Sequence, residues 1–181
     1  YNGWFRTMTE NGYRVVSIDY RLGLKGSNKV GIAQVNVLDK AIHMAVEDLF
    51  SATNFILENA DQFGVSPDNI VISGSSAGAI SVMQAEYEIA NSTSWASVLP
   101  EGFNYAGVMS FSGAILSREG KVDYKKVPCA TLMLHGTSDE LVPYNQIKVF
   151  NLGFFGGGKL VERFKKFGLN YNMYHFTGYG H

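Results

Sequence analysis

The chain is short of the residues that staple a fold covalently or through metal. Among its 181 residues Cys129 is the single cysteine, and there are four prolines and four histidines. One cysteine excludes an intrachain disulfide and any cysteine-built structural zinc site. Its setting between Pro128 and Ala130 suits a small core residue better than a nucleophile. No two histidines fall at ligand spacing on one helix face, so neither a metal nor any other cofactor is expected. Charge of one sign is also missing: 15 basic residues stand against 16 acidic ones. Such a balance offers no field for a phosphate backbone or an anionic lipid surface, and a nucleic-acid partner is not expected. No run approaches the roughly 20 apolar residues of a membrane helix, and no signal-peptide pattern is present. The chain opens at Tyr1 without an initiator Met, which reads as processing or truncation. None of these features encodes compartment or oligomeric state.

What is present is ordinary globular material, 46% apolar, long enough for one domain with a substantial core. Short β-branched or apolar runs at Tyr13 to Asp19, Ile70 to Gly74, Tyr105 to Ser112, Ala130 to His135 and Tyr171 to Phe176 predict strands. Helical patterns lie among them. Residues before Gly12 fit a helix on the sheet. Val46, Leu49, Ala52, Thr53, Ile56 and Leu57 form one face of a helix running to about Ala60. Ala79 to Ala90 and Lys159 to Phe167 predict two more, the last with Leu160, Phe164 and Phe167 on one face and Gly168 as its stop. Strands alternating with helices imply an α/β fold with a mostly parallel sheet, and such sheets bind ligands at the carboxyl ends of their strands.

Gly74, Ser75, Ser76, Ala77 and Gly78 form a GxSxG pentapeptide between a strand and a helix. A serine hydroxyl is a poor nucleophile unless it is exposed on a tight turn with a base on one side and oxyanion donors on the other. Glycines two residues either side of Ser76 would let strand and helix approach, and the Ala77 amide would face the developing oxyanion. The same five residues also suit an unremarkable Gly/Ser turn.

A catalytic Ser76 needs a histidine to take its proton and a carboxylate to hold that histidine's tautomer. His43 precedes Ser76 and suits a solvated surface position. His135 closes a strand and suits a local hydrogen bond ordering the next turn. His175 lies inside the last strand pattern and suits sheet packing. His181 follows a strand and the turn Gly178, Tyr179, Gly180, from which it can swing over a neighbouring elbow. For the acid, Asp139 lies on the loop leaving the strand Ala130 to His135. Glu140 would then point away, and Asp123 sits in a charged loop before that strand. HGTSDE is also good turn chemistry, and capping is compatible with catalysis.

These residues resemble the α/β-hydrolase carboxylesterases, especially the branch related to hormone-sensitive lipase and the feruloyl or acetyl esterases. The likeness runs from Asp19, Tyr20, Arg21 and Leu22 through Asp48. It continues through Phe63 and Gly64, Ser66 to Asn69, the elbow, HGTSDELVP from His135 to Pro143, and the closing GYGH. It implies an α/β-hydrolase fold, with Ser76 as nucleophile, Asp139 as triad acid, His181 as base and Ala77 as one oxyanion donor. It further implies a partial core: the HGGG-type loop with the remaining oxyanion donors would precede Tyr1, and a final helix would follow His181. Losing one such donor costs on the order of a hundredfold to a thousandfold in rate.

The implied chemistry is hydrolysis of a small-molecule ester, with acyl esters of saccharides as a narrower possibility. Ser75, Leu141 and Val142 are the candidate substrate-binding residues, with Tyr144 beside them. The segment Asn91 to Asn104, carrying Trp95, Leu99 and Phe103, suits a cover over the site and ordinary packing equally. Rival readings are a serine peptidase of the prolyl oligopeptidase type and a noncatalytic binding module on the same fold. Two motifs are set aside. Gly153 to Lys159 imitates a P-loop, but Leu160 replaces the required Ser or Thr; Gln146 to Leu152 before it reads as helix, and the glycines as a break that lets Phe154 and Phe155 pack near the site. Asn91, Ser92 and Thr93 match a glycosylation sequon, which matters only in a secreted eukaryotic chain.

Overall fold

A computed structural model describes residues 2–24 and 35–181. Three helices come first: α1 (Asn2–Glu10), α2 (Val35–Glu58) and the single turn α3 (Ala60–Phe63). The rest of the chain runs through β1 (Val71–Ser75), α4 (Ala77–Ala90), β2 (Gly107–Phe111), β3 (Ala114–Ser117), β4 (Ala130–Gly136), β5 (Gln146–Val149), β6 (Leu152–Gly156), α5 (Gly157–Phe167) and β7 (Tyr171–Phe176). β1, β2, β4 and β7 form a parallel sheet in that order, and β3, β6 and β5 form a small antiparallel one.

Register explains which residues are inside. Ile72, Val108, Thr131 and Tyr171 lie side by side across the parallel sheet, with Gly74, Ser110, Met133 and Met173 two residues further on. Because side chains alternate between faces, these rows share one face. There Ile72, Val108 and Met133 join Val46, Phe50, Val82, Met83, Leu160 and Phe164 from the helices in a single buried cluster. Burying each side chain of this size contributes about 1.5–3 kcal/mol. The opposite face is more open, with Val71, Tyr174 and Phe176 exposed, although Trp4 of α1 meets Phe111 edge-on at 5.4 Å. The strands therefore alternate in burial rather than running continuously apolar.

Two expected elements differ. Tyr13 to Asp19 is irregular, with Tyr13 and Val16 exposed. A strand exists only where a neighbour pairs its backbone, and among the described residues no strand lies against this one. Just beyond it the chain is tied to α2, where Arg21 donates from its backbone N–H and its guanidinium to Asp48. Gln146 to Leu152 is not helical but supplies β5 and the start of β6, a hairpin turning at Phe150 and Asn151. Ile147, Val149 and Leu152 satisfy either period, and pairing with β3 through β6 decides for strand. The GFFGGG run is thus mostly β6, where Phe155 is buried in the main cluster.

Candidate active site

The parallel sheet brings the carboxyl ends of β1, β4 and β7 to one edge. β7 is three strands from β1, about 14 Å at the usual spacing, and His181 lies five residues beyond β7. Those five residues fold back over the sheet edge. Ser138 N–H donates to the Tyr179 carbonyl and Thr137 N–H to that of Phe176, while Gly178 N–H donates to the Thr137 hydroxyl. A Cβ at Gly136 would stand 2.4 Å from the Tyr179 carbonyl and 2.3 Å from that of Gly180. This close approach is what allows the last turn to seat against the acid loop.

Ser76 occupies the corner between β1 and α4 with φ 55° and ψ −119°. A non-glycine residue in such a conformation costs about 1–3 kcal/mol, held in place by its surroundings. Its N–H donates to the Phe111 carbonyl, and its carbonyl accepts from Ile80 of α4. Gly74 is required by contact: a Cβ there would lie 2.3 Å from the Gly78 carbonyl group. Gly78 differs from expectation, since a Cβ on it would meet nothing within 4 Å. Ala77 opens α4, so its amide is one of the first-turn N–H groups that a helix leaves without an internal acceptor.

Three side chains meet here. His181 Nδ1 is 2.8 Å from Asp139 Oδ2, and its Nε2 is 2.7 Å from Ser76 Oγ. A carboxylate only accepts, so Nδ1 carries the proton and Nε2 is left to accept from the serine hydroxyl. Asp139 is buried, and its Oδ1 accepts from the backbone amides of Leu141 and Val142 at 3.0 and 2.9 Å. Burial works to raise its carboxyl; the His181 hydrogen bond, those two amides and the His181 charge outweigh burial and hold it below the ordinary carboxylate range.

Other candidates fall in different places. Glu140 is exposed, and Asp123 is paired with Lys121 and Arg163. His43 is not a free surface residue: it stacks on Trp95 with ring centroids 4.0 Å apart and lies 3.4 Å from Glu47. His175, expected in sheet packing, is exposed on β7 and hydrogen-bonds the Tyr144 hydroxyl. Ser75 and Leu141 are exposed beside the corner and the acid loop, whereas the Val142 side chain is buried and enters the site through its backbone. The Asn91 to Asn104 segment does not overhang Ser76. It begins where the 14-residue α4 ends, about 20 Å from the corner, and Leu99 packs in the core there. Asn91 itself is buried, accepting from the Lys125 amide and donating to the Tyr87 carbonyl. His135, expected to make a local hydrogen bond ordering the next turn, does so with the Val142 carbonyl at 3.0 Å; its approach to Asp139, four residues on, is what sequence reasoning missed.

The corner, the parallel sheet and the edge that gathers their loops define an α/β-hydrolase fold. Residues 1–92 match the family model described as BD-FAE, and the chain belongs to that family, one of α/β-hydrolase esterases. A 76-residue stretch is 41% identical to Gut esterase 1 of Caenorhabditis briggsae, covering 42% of this chain and 13% of that protein. Among solved structures, propionate-bound esterase Est2 of Thermogutta terrifontis aligns with TM-score 0.57 and 23% identity over 90% of this chain and 60% of that one. The same organism's esterase 2 phosphoramylated by tabun gives 0.55 and 21% over 90% and 59%. The chain thus spans about 60% of these solved esterases, which share its fold. Among the described residues no helix is long and apolar enough to cross a membrane.

Proposed function

We propose that the protein hydrolyses carboxylic esters through an acyl-enzyme on Ser76. The hydrogen-bonded run from Ser76 through His181 to Asp139 is the observation that carries this reading, and membership of an esterase family supports it. Ser76 Oγ attacks the ester carbonyl as its proton passes to His181 Nε2. Asp139 accepts from Nδ1–H and stabilises the imidazolium without itself taking the proton. The Ala77 amide donates to the oxyanion as the tetrahedral adduct forms. Collapse of the adduct breaks the bond to the alcohol, whose alkoxide takes the proton from Nε2. Water then repeats the cycle on the acyl-enzyme and returns the carboxylic acid. Leu141, exposed beside the acid loop, and Ser75 are the nearest lining candidates. The narrower substrate class is acyl esters of saccharides, with Asp139, His181 and Ser76 in the same roles.

Labelling with a fluorophosphonate probe tests the nucleophile. A single adduct on Ser76, absent from Ser76→Ala, is expected, with kcat for a nitrophenyl ester falling about 10⁶-fold in that variant. An adduct that persists in Ser76→Ala would defeat the reading. A panel of short and long nitrophenyl esters beside acetylated and feruloylated sugars tests the substrate class.

A further inference from the structure

His135 closes β4 and is 2% exposed. Its Nδ1 lies 3.4 Å from the Gly157 amide, a group that can only donate, so Nδ1 accepts and Nε2 carries the proton. Nε2 hydrogen-bonds the Val142 carbonyl at 3.0 Å and lies 3.3 Å from Asp139 Oδ2. Oδ2 is the same oxygen that receives His181 Nδ1. Asp139 is thus bracketed by two imidazoles, one toward solvent and one beneath it. The Val142 carbonyl that His135 also engages belongs to the residue whose amide holds Oδ1. One ring therefore touches the carboxylate and the turn that aims it.

The surroundings keep this ring uncharged. Burial lowers its proton affinity below the ordinary histidine range, a tendency that the Val142 carbonyl and Asp139 oppose without overcoming. Tyr144 packs edge-on at 5.5 Å and spends its hydroxyl on His175 of β7. α5 presents only the Gly157 backbone. Asp139 and His181 are the remaining titratable groups that face it.

We propose that His135 is a positioning residue for the Asp139 and His181 pair, a neutral imidazole whose Nε2–H fixes the carboxylate's orientation and shares its charge with His181. The inference rests on the proposed roles of Ser76, Asp139 and His181. With His135 removed, Oδ1 stays tethered by two amides while Oδ2 keeps a single partner. The proton on His181 is then held more tightly, and more alkaline solution is needed to free Nε2 as a base.

The test compares kcat/KM against pH for a nitrophenyl ester in the parent, His135→Phe and His135→Gln. The phenyl ring keeps the volume without a donor, and the glutamine amide can reach the Nε2 position. His135→Phe is expected to lose about ten- to a hundredfold and to move the acid limb of the profile upward; His135→Gln is expected to restore the limb and most of the rate. An unmoved limb in a folded His135→Phe overturns the proposal. Should that variant fail to fold, ¹⁵N-histidine NMR on the parent decides: a neutral Nε2–H tautomer at pH 7–8, with titration below the ordinary histidine range, is expected, and an Nδ1–H tautomer or titration at or above that range overturns it. Ser76→Ala separates the two levels. Persistent hydrolysis there defeats the proposed function itself, whereas failure of the His135 arms alone leaves that function standing.

Discussion

Two carboxylates, Asp139 and Glu86, are almost equally withdrawn from solvent, at 7% and 5% exposure, and their oxygens are served differently. Asp139 receives two backbone amides and a histidine N–H. Glu86, in the body of α4, receives the Cys129 amide on Oε1, while Oε2 has no partner among the described residues. Burial raises the Glu86 carboxyl above its ordinary range, a rise that Cys129 only partly offsets. Burial first, and then the Glu86 charge, also push up the Tyr105 and Tyr124 hydroxyls and the Cys129 thiol. Depth alone therefore does not decide ionisation here; the supply of donors does. Glu88, two residues before the end of the same helix and similarly buried, has both oxygens served, Gln84 and Thr93 each donating to one of them.

The comparison is broken most sharply by neutralising each acid. Asp139→Asn is expected to lower kcat about 10⁴-fold, since an amide that donates toward His181 favours the wrong tautomer. Glu86→Gln should stay within about threefold of the parent, because nothing connects it to Ser76 except helix; an equal loss in both would erase the distinction. Next in size is Gln84→Leu. Gln84 accepts from the Leu116 amide and donates to the Leu116 carbonyl, and losing this pairing in the core should cost about 2 kcal/mol in urea unfolding.

Smaller still are the effects of pH on stability. Asp139, held low when folded, contributes stability above its unfolded value of about 3.9 that is lost as pH falls through its folded value. His135, also held low, lets the unfolded chain take up a proton first, so stability begins to fall as pH drops below about 6.5, a decline missing from His135→Gln. Glu86 runs the other way. Its folded value lies above the unfolded one, so its contribution is full below about 4.3 and is lost as pH rises. The unfolding free energy of Glu86→Gln minus that of the parent should therefore increase from pH 4 to pH 8; a flat difference would show that Glu86 has found a donor.

The four strands of the parallel sheet were legible because each is a compact apolar run whose buried face must match the same helices. Tyr13 to Asp19 is just as apolar, but a run of residues carries no record of whether a neighbour will pair with it. Gln146 to Leu152 misled for a related reason: a short apolar stretch fits both periods, and pairing decides. At the candidate site, the meeting of Ser76, Asp139 and His181 was readable because the loops after parallel strands leave the sheet at one edge. Their hydrogen bonds were not readable, since they depend on backbone approaches such as that at Gly136. The contact between His135 and Asp139 was within reach of sequence, four residues apart on one turn. The place of Asn91 to Asn104 was also within reach, because the length of α4 already carries that segment away from the corner.

Residues 105 positions apart share a hydrogen bond at 2.7 Å, and the pairing of β4 with β2 and β7 acts as the gauge that sets it. One step along a parallel strand is about 3.3 Å, larger than the whole range over which a hydrogen bond persists, and it also turns every side chain to the other face. The pairs Met133 with Ser110 and Met173 lie away from that hydrogen bond, yet a slip there would break it completely. Accuracy at the edge where Ser76, His181 and Asp139 meet is thus a property of the sheet's middle, where none of the three is found.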